Sequence, residues 1–389
     1  MSVYGIISEF NPFHNGHKYL FDTARAEGAE AIVCVMSGNS VQRGEVALID
    51  KYKRAEMALT QGADLVLELP FPFSSASAER FAAAGVSIAS EFAHTIYFGS
   101  ESGNIDALRS AAAICTSDGF VDEYKNMLES GTGTARAYFD LIEKKTGCKY
   151  LSNDILGIEY IKAALRLNLD ISFSTTSRIG GAYASSEIAD GNLQSASAIR
   201  ALISQGDFDK AREYMPSECY DILSKAISDG NVTDTSKLDT AIKLYFSMCD
   251  PAYISKCAEC DMGIASRICS AAKECASGDI IDLLRTKRYT DARLRRAMLF
   301  SLIGVLEGDF AVLPKYTNLL AANARGRELL ATKRKDAKMV VLAKAADIPN
   351  NAEAQRQAEL SAKLDALFAL ALKKEIPATD MLRKSPVIY

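Results

Sequence analysis

Residues 3–29 open with Val3-Tyr4-Gly5-Ile6-Ile7, continue through Ser8-Glu9-Phe10-Asn11-Pro12-Phe13-His14-Asn15-Gly16-His17, and pass into Lys18–Ala29. The first run is short, apolar and stopped by a loop that carries a proline and a glycine, whereas Tyr19, Leu20, Thr23 and Ala24 recur at helical spacing. This reads as strand, loop, helix. The unit then repeats. Apolar strands are expected at 31–36, 64–69 and 95–98, with helices at 51–62 and 76–92 between them; a less regular helical stretch (105–145), a helix (154–167) and a strand (171–174) follow. Short apolar strands with a helix in each crossover imply an α/β fold with a parallel sheet covered on both faces.

From about residue 205 the pattern changes. Apolar residues recur at helical spacing in 208–214, 219–227, 238–248, 264–275, 280–284, 291–303 and 354–372, with few strands between them. Two domains are therefore expected, an α/β unit over 1–205 and a mainly α-helical one over 206–389. A chain of 389 residues that is 48% hydrophobic and 24% charged leaves no room for a largely disordered or disulfide-stapled protein. No run of roughly 18 apolar residues and no leader-like N-terminus is present, so a cytoplasmic protein without a membrane contact is expected. Nine cysteines with no export signal read as reduced thiols. Cys257, Cys260, Cys269 and Cys275 are spaced too irregularly for a zinc ribbon, and their metal binding is left open. Nothing implies a stable protein partner.

Two of the three histidines, His14 and His17, share one loop between the first strand and first helix. That loop lies at the carboxyl edge of a parallel sheet, where ligands bind and where a helix N-terminus offers N–H groups to a phosphate. Two imidazoles there can hydrogen-bond a phosphoryl group and the charge that develops as pyrophosphate leaves. Gly16 is expected to let backbone approach the ligand. A metal pair is disfavoured because no third ligand stands nearby. Far along the chain, Ser195-Ala196-Ser197-Ala198-Ile199-Arg200 places hydroxyls ahead of an apolar helix and an arginine one turn in. Alone this is an ordinary helix cap; with the first loop it forms a second phosphate-holding element. The net charge of −4 conceals a basic stretch: residues 281–345 hold 14 Lys+Arg against 6 Asp+Glu. Within it Lys287, Arg288, Arg293, Arg295 and Arg296 crowd one segment suited to nucleic-acid phosphates.

The two motifs resemble the HxGH and ISSTxxR-like pair of the nucleotidyltransferase superfamily, with Ala196 and Ala198 departing from the second pattern; the resemblance implies a Rossmann-like nucleotidyltransferase domain. It becomes closer over Glu9–His17, Met36–Glu45 (MSGNSVQRGE), Asp64–Pro70 (DLVLELP), Phe98–Glu101 (FGSE), Lys287–Thr290 (KRYT) and Ser385–Ile388 (SPVI), which is similar to the bacterial tRNA(Met) cytidine acetate ligases. That family activates acetate with ATP as acetyl-adenylate and acetylates N4 of the wobble cytidine of elongator tRNA(Met). The resemblance implies an ATP site made of Ile7, Ser8, Glu9, Phe10, Asn11, Pro12, Phe13, His14, Asn15, Gly16, His17, Lys18, Tyr19 and Leu20, with Gly99, Asn153, Arg178, Ser195 and Ser197. His14, His17 and Arg200 are the expected catalytic groups, ATP with Mg²⁺ the cofactor, and acetate and elongator tRNA(Met) the partners. Two other readings compete: a small-molecule adenylyltransferase, which the long helical half disfavours, and a non-catalytic RNA-binding protein with a retained nucleotide fold, which the intact motifs disfavour.

Overall fold

The computed structural model describes residues 1–129, 133–177, 194–276, 278–286, 289–333, 337–344 and 347–389. Arg178, Lys287 and Arg288 lie outside them. In chain order the first part comprises β1 (Val3–Ser8), α1 (Asn15–Ala26), β2 (Ala31–Ser37), a small hairpin of β3 (Ser40–Val41) and β4 (Glu45–Val46), α2 (Lys51–Thr60), β5 (Leu65–Leu69), α3 (Ala78–Ala89) and β6 (Thr95–Ser100). Helices α4 (Ile105–Cys115), α5 (Asp118–Glu129) and α6 (Thr134–Thr146) precede α7 (Ser152–Leu167) and β7 (Ser172–Ser177). Every residue of β2 and β5 is buried, as strands covered on both faces require.

The remainder is mainly helical: α8 (Ala196–Gln205), α9 (Phe208–Glu213), α10 (Ser217–Ser228), α11 (Ser236–Met248), α12 (Pro251–Ile254), α13 (Met262–Glu274), α14 (Ile280–Leu284) and α15 (Asp291–Ile303). It closes with β8 (Tyr316–Ala322), α16 (Ala324–Lys333), β9 (Val340–Leu342), α17 (Ala352–Ala371) and β10 (Val387–Ile388). These last three strands are not legible as strands in the sequence, and they complete the first half's sheet. The order is β10-β8-β5-β2-β1-β6-β7, with β9 beside β8. All pairings in it are parallel except β5 with β8, so the expected parallel sheet is a mixed one dominated by parallel strands. The reason is visible in Leu319-Leu320-Ala321-Ala322: leucine and alanine favour helix intrinsically, and only a buried slot beside β5 makes them a strand. Across residue 205 the chain shares a core, because Ile199 and Leu202 of α8 pack with Ile6, Phe21 and Cys34. Helices α11–α15 build a separate apolar cluster around Ile264, Ile268 and Leu284.

Helix α2 carries an unusual inner face. Lys51 and Arg54, one turn apart, are 3% and 0% exposed. Lys51 Nζ lies 3.0 Å from both carboxylate oxygens of Glu68 on β5 and 3.0 Å from Asp365 Oδ2 on α17. Asn318 Nδ2 donates to Glu68 and Asn39 Nδ2 to Asp365, at 2.7 and 2.8 Å. Burial alone would push the Lys51 ammonium down, but the two carboxylates outweigh it and hold it protonated. The last long helix is thus pinned to the sheet by a buried charge triad. Gly44 makes a second close approach: its φ is +77°, and a Cβ there would meet Arg296 N of α15 at 2.6 Å.

Lys51→Met leaves two buried carboxylates uncompensated. It is expected to cost about 3–5 kcal/mol, the usual result of removing one partner of a buried ion pair, read as a lowered denaturant midpoint.

Candidate active site

The loop after β1 is fixed before any ligand arrives. Phe10 adopts a left-handed φ of 45° and, with Phe13 and Phe21, packs an aromatic floor against which the His17 ring rests, 4.9 Å from Phe10 and 5.3 Å from Phe13 between centroids. His14 caps α1: its Nδ1 accepts from Gly16 N at 3.0 Å. His17 answers, its Nδ1 accepting from His14 N at 3.3 Å. This is a capping box built from two imidazoles. Because each Nδ1 accepts a backbone N–H, a neutral ring carries its proton on Nε2 as a donor. The two rings lie 3.8 Å apart at an interplanar angle of 31°. Gly16 makes room for this pair: a Cβ there would stand 2.9 Å from His14 Cε1.

The second element faces the first across a cleft. Ser195 Oγ caps α8 by accepting from Ala198 N at 3.1 Å. Arg200 donates from Nη1 to Asn11 O at 2.9 Å and from Nη2 to Ser197 Oγ at 3.3 Å. Segments 189 residues apart are thereby joined by one guanidinium. Glu45 stands between Arg200 (3.6 Å) and Arg295 of α15 (3.5 Å). Glu9 Oε1 accepts from Gln42 N at 2.8 Å. Part of Glu9 is open to the cleft, yet its carboxyl group is enclosed by protein. Burial pushes its pKa up, outweighing the lowering by Gln42 N–H, Arg200 and Arg43.

Of the residues expected at a nucleotide site, Ile7, Ser8, Glu9, Phe10, Asn11, His14, His17, Leu20, Gly99, Asn153, Ser195, Ser197 and Arg200 all line this cleft. Pro12, Phe13, Asn15, Gly16, Lys18 and Tyr19 do not. Phe13 is core, Asn15 is tied to Glu213 and Tyr214 through its side chain and its N–H, and Lys18 pairs with Asp22. Asn153 sits inside the first turn of α7 rather than ahead of it. Its Nδ2 donates to Glu101 Oε1 at 2.6 Å, and Glu101 also accepts from the N–H groups of Asn153 and Asp154. Gln42, Arg43 and Tyr160 also line the cleft, although the sequence pattern does not mark them as site residues; the only signal for the first two is the MSGNSVQRGE stretch, whose role is invisible until the β3–β4 hairpin folds over the site.

The basic segment is divided by the fold. Arg293 lies 5.0 Å from the Tyr289 ring and 3.7 Å from Asp261. Arg295 pairs with Asp279 at 3.0 Å and Arg296 with Glu259 at 2.7 Å, the latter nearly buried. Arg325 and Lys338 belong to the opposite edge of the sheet, where Arg325 donates to Glu30 O and Lys338 N–H to Glu91. Cys257, Cys260 and Cys269 are buried in the α11–α15 core and Cys275 packs against it; burial pushes the Cys260 thiol up to about 11. Among the described residues no group of three His, Cys, Asp or Glu could hold a metal ion, and no helix is long and apolar enough to cross a membrane.

A family model described as HIGH Nucleotidyl Transferase matches residues 1–381. Relatives named tRNA(Met) cytidine acetate ligase include one from Clostridium perfringens (strain SM101), 33% identical over 366 residues that span 88% of this chain and 90% of that protein. Another, from Acetivibrio thermocellus, is 34% identical over 405 residues, 98% of this chain and 94% of its own. The crystal structure of Thermotoga maritima TmcAL (apo, form I) superposes with a TM-score of 0.92 at 29% identity, covering 100% of this chain and 99% of that one. The form of that protein bound with alpha-thio ATP gives 0.90 at the same identity and coverage.

Arg200→Ala removes the link between the two elements. It is expected to weaken binding of a non-hydrolysable ATP analogue by about tenfold or more in calorimetry, in line with the ~1.5–3 kcal/mol of a charge-assisted hydrogen bond, and Arg200→Lys is expected to recover only part of that. Glu9→Gln tests the buried carboxyl. A raised folded-state pKa means stability is lost as pH rises from the unfolded value through the folded one, so the variant is expected to melt higher than the parent at pH 8 and to lose that gain toward pH 4.

Proposed function

The chain belongs to the HIGH nucleotidyl transferase family and, within it, to the tRNA(Met) cytidine acetate ligases; from that premise we propose that it activates acetate with ATP and acetylates N4 of the wobble cytidine of elongator tRNA(Met). The observation that carries this reading is the Arg200 to Asn11 hydrogen bond, which closes the serine-capped helix and the two-histidine loop onto one cleft. A protein that merely retained the fold would have no need of that closure. An adenylyltransferase acting on a small molecule would have no use for the long chain beyond α8.

ATP binds with its phosphates between the N-termini of α1 and α8, whose positive dipole ends suit an anion. Ile7–Asn11 and Leu20 flank the nucleotide, Gly99 allows approach at the end of β6, and Asn153 presents an amide already oriented by Glu101. Arg178 supplies a further phosphate contact. One acetate oxygen attacks the α-phosphorus, the bond to the β-phosphate oxygen breaks, and pyrophosphate leaves. His14 and His17 donate from Nε2, and Arg200 with Ser195 and Ser197 offsets the charge on the departing group. The cytidine N4 then attacks the acetyl carbonyl, the C–O bond to AMP breaks, and N4 gives up a proton. Neither a covalent enzyme intermediate nor acetyl-CoA takes part.

Mg²⁺ enters with its substrate. Among the described residues, Glu9 and Glu45 are the carboxylates lining the cleft, and both already serve backbone N–H or guanidinium groups, so these residues fit a cation carried on the ATP phosphates rather than a protein cage. Residues 1–205 carry this chemistry and 206–389 the RNA, with Lys287, Arg288, Arg293, Arg295 and Arg296 as its phosphate contacts. Arg295 and Arg296 also hold the hairpin and Glu259, so part of their effect on RNA is through the shape of the site. A place in the cytoplasm, beside the tRNA pool, follows from this reading.

Incubation with labelled acetate, ATP and total tRNA is expected to move label into tRNA. Replacing His14 and His17 together by alanine is expected to reduce acetate-dependent ATP–pyrophosphate exchange by at least 10²-fold, and undiminished exchange would remove both from the reaction.

A further inference from the structure

Beside the nucleotide cleft lies a larger trough of about 970 Å³, and the two share Gln42, Arg43, Asn153 and Leu156 as a common sill. One wall is built from the start of α3 and from α5, α6 and α7; the other is Tyr289 and the first turns of α15. Among the described residues, seven arginines and lysines line it against four glutamates. Aromatic rings lie among them, including Tyr124, Tyr138 and Tyr289. A ring and a guanidinium are already assembled where Arg293 lies 5.0 Å over Tyr289. At the opposite rim Arg166 pairs with Glu79 and Arg80 with Glu307, all four part-exposed. Such pairs contribute roughly 0–1 kcal/mol, so a phosphate can displace the carboxylate at little cost. Cationic walls with stacking faces between them are the means by which proteins hold single-stranded nucleic acid.

We infer that this trough seats the unpaired anticodon loop of the RNA substrate, with Arg80 and Arg166 on one wall and Arg293 on the other contacting phosphates, Tyr289 stacking a base, and the reactive cytidine turned over the Arg43–Leu156 sill into the nucleotide cleft. The inference rests on the ligase reading above and adds to it the wall formed by α3 and α7, which the basic segment at 281–345 does not contain. A target amine on a base edge must leave its stack to reach an enclosed acyl donor. A port continuous with the donor site meets that need, because the base can enter while its flanking phosphates stay in the trough.

The test uses the full chain, elongator tRNA(Met) and three variants. Arg80→Gln with Arg166→Gln is expected to raise the Kd for tRNA about tenfold or more and to flatten the salt dependence by about 0.7–0.9 for each phosphate no longer neutralised. Acetate-dependent ATP–pyrophosphate exchange, which needs no RNA, is expected to stay within about twofold of the parent. Tyr289→Ala is expected to lower acetyl transfer to tRNA, and Tyr289→Phe, which keeps the ring, to restore it. Unchanged tRNA affinity and salt slope in the arginine variant, or unchanged transfer in Tyr289→Ala, overturns the trough as the RNA seat. Equal loss of exchange and tRNA binding in the arginine variant also overturns it, by placing those residues in the fold. A parent that shows exchange without acetate overturns the ligase reading itself, a result distinct from the other two.

Discussion

Arg54 is the constraint on which the site's shape depends. It is fully buried and, among the described residues, has no carboxylate in hydrogen-bond contact; it donates instead to carbonyls, to Ile49 O at 3.1 Å, Glu9 O at 2.6 Å, Ser37 O at 3.1 Å and Gly38 O. Glu9 O, Ser37 O and Gly38 O lie where the chain leaves β1 and β2, and Ile49 O lies in the loop ahead of α2, places where the ladder ends and backbone groups lose their partners. One planar guanidinium satisfies several of them at once, which an ammonium could not do with the same geometry. Burial pushes its pKa down to about 10, so it stays charged throughout the physiological range. The loop that carries Glu9 and the hairpin that follows Ser37 are thereby held at fixed positions, and the cleft lies between them.

The nucleotide cleft is organised the same way, by local hydrogen bonds made before a ligand is present. The two imidazoles spend Nδ1 on capping α1, which makes Nε2 the donor of a neutral ring. Ser195 caps α8 with its hydroxyl, and Arg200 ties that helix to Asn11. Preorganised donors of this kind need no reorientation as charge develops, which is where electrostatic catalysis gains its advantage over water. Their ordering cost is met by folding, through the aromatic floor beneath His17 and the shared core that joins α8 to β1.

Helix α2 shows why a fold can be read further than a site. Lys51-Tyr52-Lys53-Arg54 looks in sequence like a solvated, polar first turn, and its helical reading is right. What is not visible is that two of its cations point inward, because their compensating groups come from elsewhere: Glu68 on β5, Asp365 on α17, and carbonyls of two loops. Strands β8 and β10 failed to announce themselves for a related reason. Their residues suit a helix or a loop as well as a strand, and a neighbour distant in sequence decides the matter. The wall of the RNA trough formed by α3 and α7 is equally hidden, since its arginines are scattered singly, while the conspicuous run at 281–345 is a segment that the fold splits between two ends of the sheet.

The amino-acid sequence alone determined the alternation of the main strands and helices as far as the strand read at 171–174, though not the β3–β4 hairpin, together with the position of His14 and His17 at a strand's carboxyl end and the family to which these motifs belong. These are properties of short segments, carried by periodicity, turn residues and local capping. Only the tertiary structure decided that Arg200 closes on Asn11, that Gly16 yields its space to an imidazole, that Asn153 is oriented by Glu101, and that a basic, ring-lined trough opens beside the nucleotide cleft. Most of these join groups tens to hundreds of residues apart. Such a contact forms only when burial of the sheet and its flanking helices has fixed both sides, so no segment holds the information by itself.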